Sequence, residues 1–325
     1  MNEILSLAAG NLLSPIILSF ALGLAAALAR SELTIPEAVA KGMSIYLLFA
    51  IGFKGGASVA AHGLDASLLL SLGAGVVLSF SLPFLAFALL RVMTRLSALD
   101  AAAVAGHYGS ISIVTFVAAS SVLADRGIMA EGYMVAVAAA MEAPAILSAL
   151  WLVSRRGAGP KIEGDIWREI LLNGSIVLLV GAFVIGWVTG EKGLAEIAPF
   201  IVSPFKGVLC LFLLDMGLVA GRGLRGARKA LTGGLLGFGL LMPVLGGLAG
   251  LVMALGLGLS TGGAVLMMAL AASASYIAVP AAMRVALPEA RPSIYLTLSL
   301  GVTFPFNLTL GIPLYVALGQ LATGG

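Results

Sequence analysis

The chain has 325 residues, of which 60% are hydrophobic and only 10% charged, and its mean hydropathy is +1.11. A soluble domain is nearer half apolar and a quarter charged, so this composition excludes an ordinary water-soluble protein and points to a bilayer. The net charge of +3 does not argue for nucleic acid, because basic residues of membrane proteins gather in cytoplasmic loops for reasons of topology. The single cysteine, Cys210, excludes a disulfide framework and a cysteine metal cluster.

Taken in chain order, ten apolar stretches of roughly 20 residues predict membrane-spanning helices. They cover 12–30, 36–53, 66–90, 98–124, 132–154, 169–189, 197–220, 230–256, 260–287 and 293–320. The start of the chain lacks the basic segment of a signal peptide and reads as a retained first span. Glycine-rich junctions such as 52–63 blur the ends. The one sizeable polar stretch, Arg155 to Glu169, divides the chain into 1–154, a connecting loop 155–168, and 169–325.

The two halves resemble each other. Asn11, Gly55 and Tyr133 meet Asn173, Gly217 and Tyr295 at an offset of 162; Pro36, Ser110 and Ser112 meet Pro199, Ser273 and Ser275 at 163; Pro144 meets Pro305 at 161. Fourteen of the eighteen basic residues fall in the odd-numbered loops, which predicts those loops cytoplasmic and both termini extracytoplasmic. Five spans per half is an odd number, so the halves enter with opposite orientation. The expected fold is therefore an all-α polytopic membrane protein, ten transmembrane helices in a 5+5 inverted repeat. Such repeats are the mark of secondary transporters, with the substrate held near the midplane.

Spans four and nine break their own helices. The first carries Gly106-His107-Tyr108-Gly109-Ser110-Ile111-Ser112, the second Ala272-Ser273-Ala274-Ser275-Tyr276 followed by Pro280. Irregular backbone at membrane depth is tolerated where it lines a cavity or is buried in protein. In an inverted repeat the two restarting half-helices face each other with their N-termini, which together with nearby hydroxyls form an anion site. The candidate substrate ligands are Gly109, Ser110, Ser112, Ser273, Ser275 and Tyr276. Helix packing by small residues is the competing explanation for each cluster. His107 reads as a packing residue, and a serine hydrolase built on His107 and Ser110 lacks a third orienting group.

Glu142 lies mid-span before Pro144, where an ionised group is costly and is usually paired or functional. Its repeat partner is Thr303, near Asn307. A carboxylate, a hydroxyl and an amide are hard oxygen ligands suited to a bare cation. The candidate sodium ligands are Thr115, Glu142, Thr303 and Asn307. Lys54 and Asp215, at adjacent repeat positions, are expected to form a structural ion pair.

Ile35-Pro36-Glu37-Ala38, Gly55-Gly56, Gly109-Ser110-Ile111-Ser112, Met141-Glu142-Ala143-Pro144-Ala145, Met216-Gly217, Ala271-Ala272-Ser273-Ala274-Ser275 and Ile312-Pro313-Leu314 resemble the cyanobacterial sodium-dependent bicarbonate permeases over essentially the whole chain. The resemblance implies a core and a gate domain, a homotrimer, sodium-coupled bicarbonate uptake across the bacterial cytoplasmic (inner) membrane, and control by a PII-like cytoplasmic protein. It implies no cofactor beyond sodium as coupling ion. The chain departs from that pattern at Glu142, where the family has Asp. It departs also at Ile113-Val114 and at Ala274 and Tyr276, where hydroxyls and an acidic group are lost, and in its short central link, as a non-cyanobacterial branch would. The expectation is a symporter for a small monoanion, most simply bicarbonate, working by alternating access of elevator type. A sodium/organic-anion symporter or sodium/proton antiporter of similar fold is the alternative, and a passive channel is the simplest competitor.

Overall fold

The structure, a computed structural model, describes residues 13–63, 66–154, 172, 174–226, 231–276, 279–280, 283 and 287–324. The connecting loop 155–168, the chain ends and most of the half-helix after Tyr276 lie outside these. The described residues form helices and no strand: α1 (Pro15–Leu28), α2 (Glu37–His62), α3 (Ala66–Met93), α4 (Ala98–Gly109), α5 (Ile113–Asp125), α6 (Met134–Ala140), α7 (Pro144–Ser154), α8 (Gly174–Ile201), α9 (Phe205–Gly226), α10 (Gly233–Leu257), α11 (Thr261–Ala271) and α12 (Pro292–Thr323). Eight helical stretches are long and apolar enough to cross a membrane, counting α4–α5 and α6–α7 as one each, and α1 and α11 are shorter apolar helices.

Local chemistry sets the helix starts. Ser14, Ser97, Thr232 and Ser260 each place a hydroxyl on the backbone N–H three residues on, at 3.4, 3.0, 3.4 and 3.1 Å, satisfying a donor the first turn leaves without a partner. Gly258 ends α10 in the left-handed region at φ 66°.

Between apolar helices in lipid the hydrophobic effect gives little, and close packing with interhelical hydrogen bonds must hold them together. The tightest crossings are α1 on α9 and α2 on α8. In the first, a Cβ at Gly23 would strike the Leu214 carbonyl and one at Gly217 the Phe20 carbonyl. In the second, Gly186 meets the Phe53 carbonyl and Gly56 that of Phe183. The contacts correspond across the halves at offsets of 163 (Gly23 and Gly186, Phe20 and Phe183) and 161 (Phe53 and Leu214, Gly56 and Gly217). Gly56, not Gly55, thus occupies the place matching Gly217; Gly55 packs on Val135. These four helices form one group. Helices α3–α7 and α10–α12 form the other, in which α3 packs on α4 and α10 on α11. Every residue in the apolar stretch across α4–α5 is buried, against 22% in α8, so the broken span sits at the centre and α8 at the periphery.

Three expected boundaries change. Helix α2 runs through the glycine-rich junction to His62, because Gly52 and Gly56 are contact points with α8 and not breaks. Helix α8 continues past the expected end at 189 to Ile201, bending at Gly190, whose φ of 60° and ψ of −151° leave the helical region. Span seven accordingly begins at Phe205, not at 197. Lys54 and Asp215 do not pair: exposed Lys54 reaches over the Phe205 ring at 5.2 Å, while buried Asp215 faces the field of Arg222 seven residues on. The start of α9 at Phe205 supplies an aromatic face that the ion-pair expectation did not include.

Candidate functional site

Helix α4 ends at Gly109, which packs so closely on Pro83 of α3 that a Cβ there would meet the proline ring. Ser110 and Ser112 then take extended backbone, and α5 restarts with the Ser112 hydroxyl accepting from the Thr115 N–H at 3.2 Å. Helix α11 stops at Ala271, and Ser273 to Ser275 are non-helical. The second break is followed by helical residues at Val279 and Pro280, where the Ser275 hydroxyl accepts from the Val279 N–H at 3.4 Å. Both breaks stand where the sequence places them.

The two breaks are bonded to each other. The Ser112 N–H donates to the Ser273 Oγ at 2.8 Å, and the Ser275 N–H donates to the His107 carbonyl at 2.7 Å. His107 Nδ1 stands 2.7 Å from the Ser275 carbonyl. A carbonyl can only accept, so Nδ1 carries the hydrogen. The His107 ring also stacks on Tyr295, centroids 4.4 Å apart. His107 therefore clamps the crossing, and its Nδ1 is turned to a backbone oxygen and not to Ser110.

The predicted ligands divide by what their hydroxyls already do. Ser273 Oγ, besides accepting from Ser112, donates to the Leu270 carbonyl at 2.8 Å, and Ser112 and Ser275 cap the half-helices. Ser110 Oγ and Thr115 Oγ1 are buried and make no hydrogen bond among the described residues. They flank the N-terminus of α5, whose first-turn N–H groups at Ile113 and Val114 have no intrahelical acceptor. Tyr276 is buried beside the crossing, its ring edge-on to Phe304 at 5.4 Å. Gly109 contributes a backbone position only.

Glu142 sits in the turn between α6 and α7, buried, with Oε2 lacking a partner among the described residues. The turn is held open by Ser79 of α3, a residue the sequence reading missed. Its Oγ accepts from the Ala145 N–H at 3.2 Å and donates to the Met141 carbonyl at 2.5 Å. The hydroxyl is thereby inserted into the helical bond that would have joined those two groups, and Pro144 removes another donor beside it. Nothing in the spacing around Ser79 marks it, because its partners lie more than sixty residues away.

Thr303 and Asn307 lie in α12, each opening or closing one of two wide turns, Ser299–Thr303 and Asn307–Gly311, of the kind that often accompanies functional sites. Both are fully buried and already bonded. Thr303 Oγ1 donates to the Gly239 carbonyl at 2.7 Å and meets the Tyr108 hydroxyl at 2.5 Å. Asn307 Nδ2 donates to the Ala272 carbonyl at 2.9 Å, and its Oδ1 accepts from Tyr315 at 2.8 Å. No hydrogen bond among the described residues links either to Glu142 or Thr115. The structure thus brings Ser110, Ser112, Ser273 and Ser275 to one crossing. It leaves the four cation candidates in two separate settings: Thr115 and Glu142 with oxygens unused, Thr303 and Asn307 in a network tying α12 to α4, α10 and α11.

The family model described as the Na+-dependent bicarbonate transporter superfamily matches residues 15–320. No curated protein matches the chain at a significant level. The match spans nearly the whole chain, and the chain belongs to this superfamily.

Proposed function

From that membership we propose that the chain imports bicarbonate together with sodium. Ten spans in a 5+5 inverted repeat would work by alternating access, the α1, α2, α8 and α9 group serving as gate and the remaining helices as the moving core. Membership of a transporter superfamily speaks against an enzyme, and the fixing of His107 Nδ1 on a carbonyl agrees with that. The reading is supported most by one observation: two helix breaks from opposite halves meet, and the Ser110 hydroxyl is buried there, without a partner among the described residues, beside the N-terminus of α5. A monoanion seated there would accept from Ser110 and from the first-turn N–H groups, and the α5 dipole would favour its charge. Ser112, Ser273, Ser275, Gly109 and Tyr276 would shape the seat.

Sodium would be held from the side of Glu142 and Thr115, whose oxygens are unused, with backbone carbonyls freed near Pro144. Thr303 and Asn307 would hold α12 in register and join the cation shell only through lone pairs that remain. One sodium ion neutralises one bicarbonate, which lowers the cost of moving charge through low dielectric. The same proposal includes extracytoplasmic termini, residence in the bacterial cytoplasmic membrane, a homotrimer, and a PII-like partner on the cytoplasmic face.

Uptake of labelled bicarbonate into proteoliposomes under an inward sodium gradient tests the reading. Uptake should require sodium and stop when the gradient is collapsed. Equal uptake with sodium replaced by potassium would remove coupling and leave a passive pathway.

A further inference from the structure

At their C-terminal ends α1 and α9 enclose an open pocket of about 470 Å³ lined by Arg30, Arg222, Arg225 and Gly226. Two of the arginines are fixed by backbone oxygens of the neighbouring segment. Arg225 Nη1 donates to the Ala27 carbonyl at 2.8 Å, and Arg222 Nη2 donates to the Leu33 carbonyl at 2.9 Å. A guanidinium has five N–H donors, so each arginine keeps most of its hydrogen-bonding capacity for something else. Arg30 is the described non-glycine residue with positive φ, at 63°, a conformation that turns the chain back over the end of α1. No carboxylate forms an ion pair with any of the three among the described residues; buried Asp215 attracts Arg222 through space only.

Topology alone accounts for basic residues at this end of the helices, and helix C-termini attract cations. Neither accounts for three arginines lining one pocket without a carboxylate paired to them among the described residues. Three cations at one end of a membrane helix pair match a phosphate headgroup, the charge that anionic phospholipids present at the membrane surface.

We propose that Arg30, Arg222 and Arg225 bind the phosphate of an anionic phospholipid on the gate pair. The inference rests on the membrane reading and is independent of the anion transported. The test is lipid retention by the purified full-length protein, measured by native mass spectrometry with phosphatidylglycerol or phosphatidylcholine, with inorganic phosphate in a third arm. The wild type should retain phosphatidylglycerol over phosphatidylcholine. Each lost charge should weaken retention about fivefold. Arg222→Gln and Arg225→Gln also remove a structural bond, so Arg30→Asn carries the decision: asparagine tolerates positive φ, and the Arg30 side chain anchors no backbone group. Arg91→Gln, another basic residue donating to a carbonyl, is the control. An equal loss with Arg91→Gln, full retention by Arg30→Asn, or occupancy by inorganic phosphate without lipid preference would each overturn the proposal. Because the readout is binding, a failure of bicarbonate uptake leaves it standing, and its own failure leaves transport standing.

Discussion

The Ser112 N–H and the Ser273 Oγ, 161 residues apart, are joined by a 2.8 Å hydrogen bond that ties the break in one half to the break in the other. Ser110, two residues before Ser112, has a buried hydroxyl with no hydrogen bond among the described residues. These two serines should therefore behave differently, although the sequence gives them the same description.

Ser273→Ala should lower thermal stability, because it strands the buried Ser112 N–H. The loss is roughly 1–3 kcal/mol. Ser110→Ala should leave stability near wild type and weaken bicarbonate affinity about five- to a hundredfold. Ser81→Ala, on an exposed residue that bonds only within its own helix, is the control. Bicarbonate affinity equal to the control in Ser110→Ala would move the anion away from α5.

Glu142→Gln should raise the sodium concentration for half-maximal uptake by about tenfold or more, since charge-assisted bonds are worth about 1.5–3 kcal/mol. Glu142→Asp should be milder. Thr303→Val should act mainly on stability, by stranding Tyr108 and the Gly239 carbonyl. Sodium titration of uptake beside thermal unfolding separates the two, and an unchanged sodium requirement in Glu142→Gln would make that carboxylate structural.

The helix crossings give a test of packing. Gly56→Ala and Gly217→Ala each press a Cβ on a backbone carbonyl and should reduce thermal stability by about 1–3 kcal/mol or more. Gly207→Ala, in the same helix as Gly217 and with open space around it, should be neutral or stabilising. Similar melting for all three variants would show that these glycines are not the contact points.

Lys206 of α9 and Asp125 of α5 form an exposed ion pair that joins the group of α1, α2, α8 and α9 to the other helix group. If the groups move past each other, fixing this contact should stop transport. Asp125→Cys with Lys206→Cys, in a Cys210→Ser background, should lose at least nine-tenths of uptake when bridged by a bifunctional methanethiosulfonate, because the long lysine side chain sets the two backbones too far apart for a direct disulfide, and recover on reduction. Full uptake with the crosslink formed would exclude relative movement at this point.

Much of this was legible in the sequence. Both breaks read from local chemistry, glycine at Gly109 and proline at Pro280, and the burial of Glu142 followed from its apolar neighbours. The parts that were not legible depend on distant backbone. Gly56 and Gly55 look alike until the Phe183 carbonyl chooses between them, and the junction after Gly52 stays helical for the same reason. Ser79 is an ordinary helical serine until its hydroxyl enters the bond between the Ala145 N–H and the Met141 carbonyl. Thr303 and Asn307 look like cation ligands by type, whereas Tyr108, Gly239, Ala272 and Tyr315 decide what their polar atoms do.

The crossing of α1 on α9 has a consequence for biosynthesis. Gly23 packs against the Leu214 carbonyl, so the first described helix finds its partner only after 191 further residues have been made. At about 5–20 residues per second, the nascent α1 waits roughly 10–40 s in the bilayer with its glycine face uncovered. The α2 helix waits likewise for α8. Neither half can complete either crossing, so two separately translated halves, 1–154 and 155–325, should each be degraded when made alone and survive when made together.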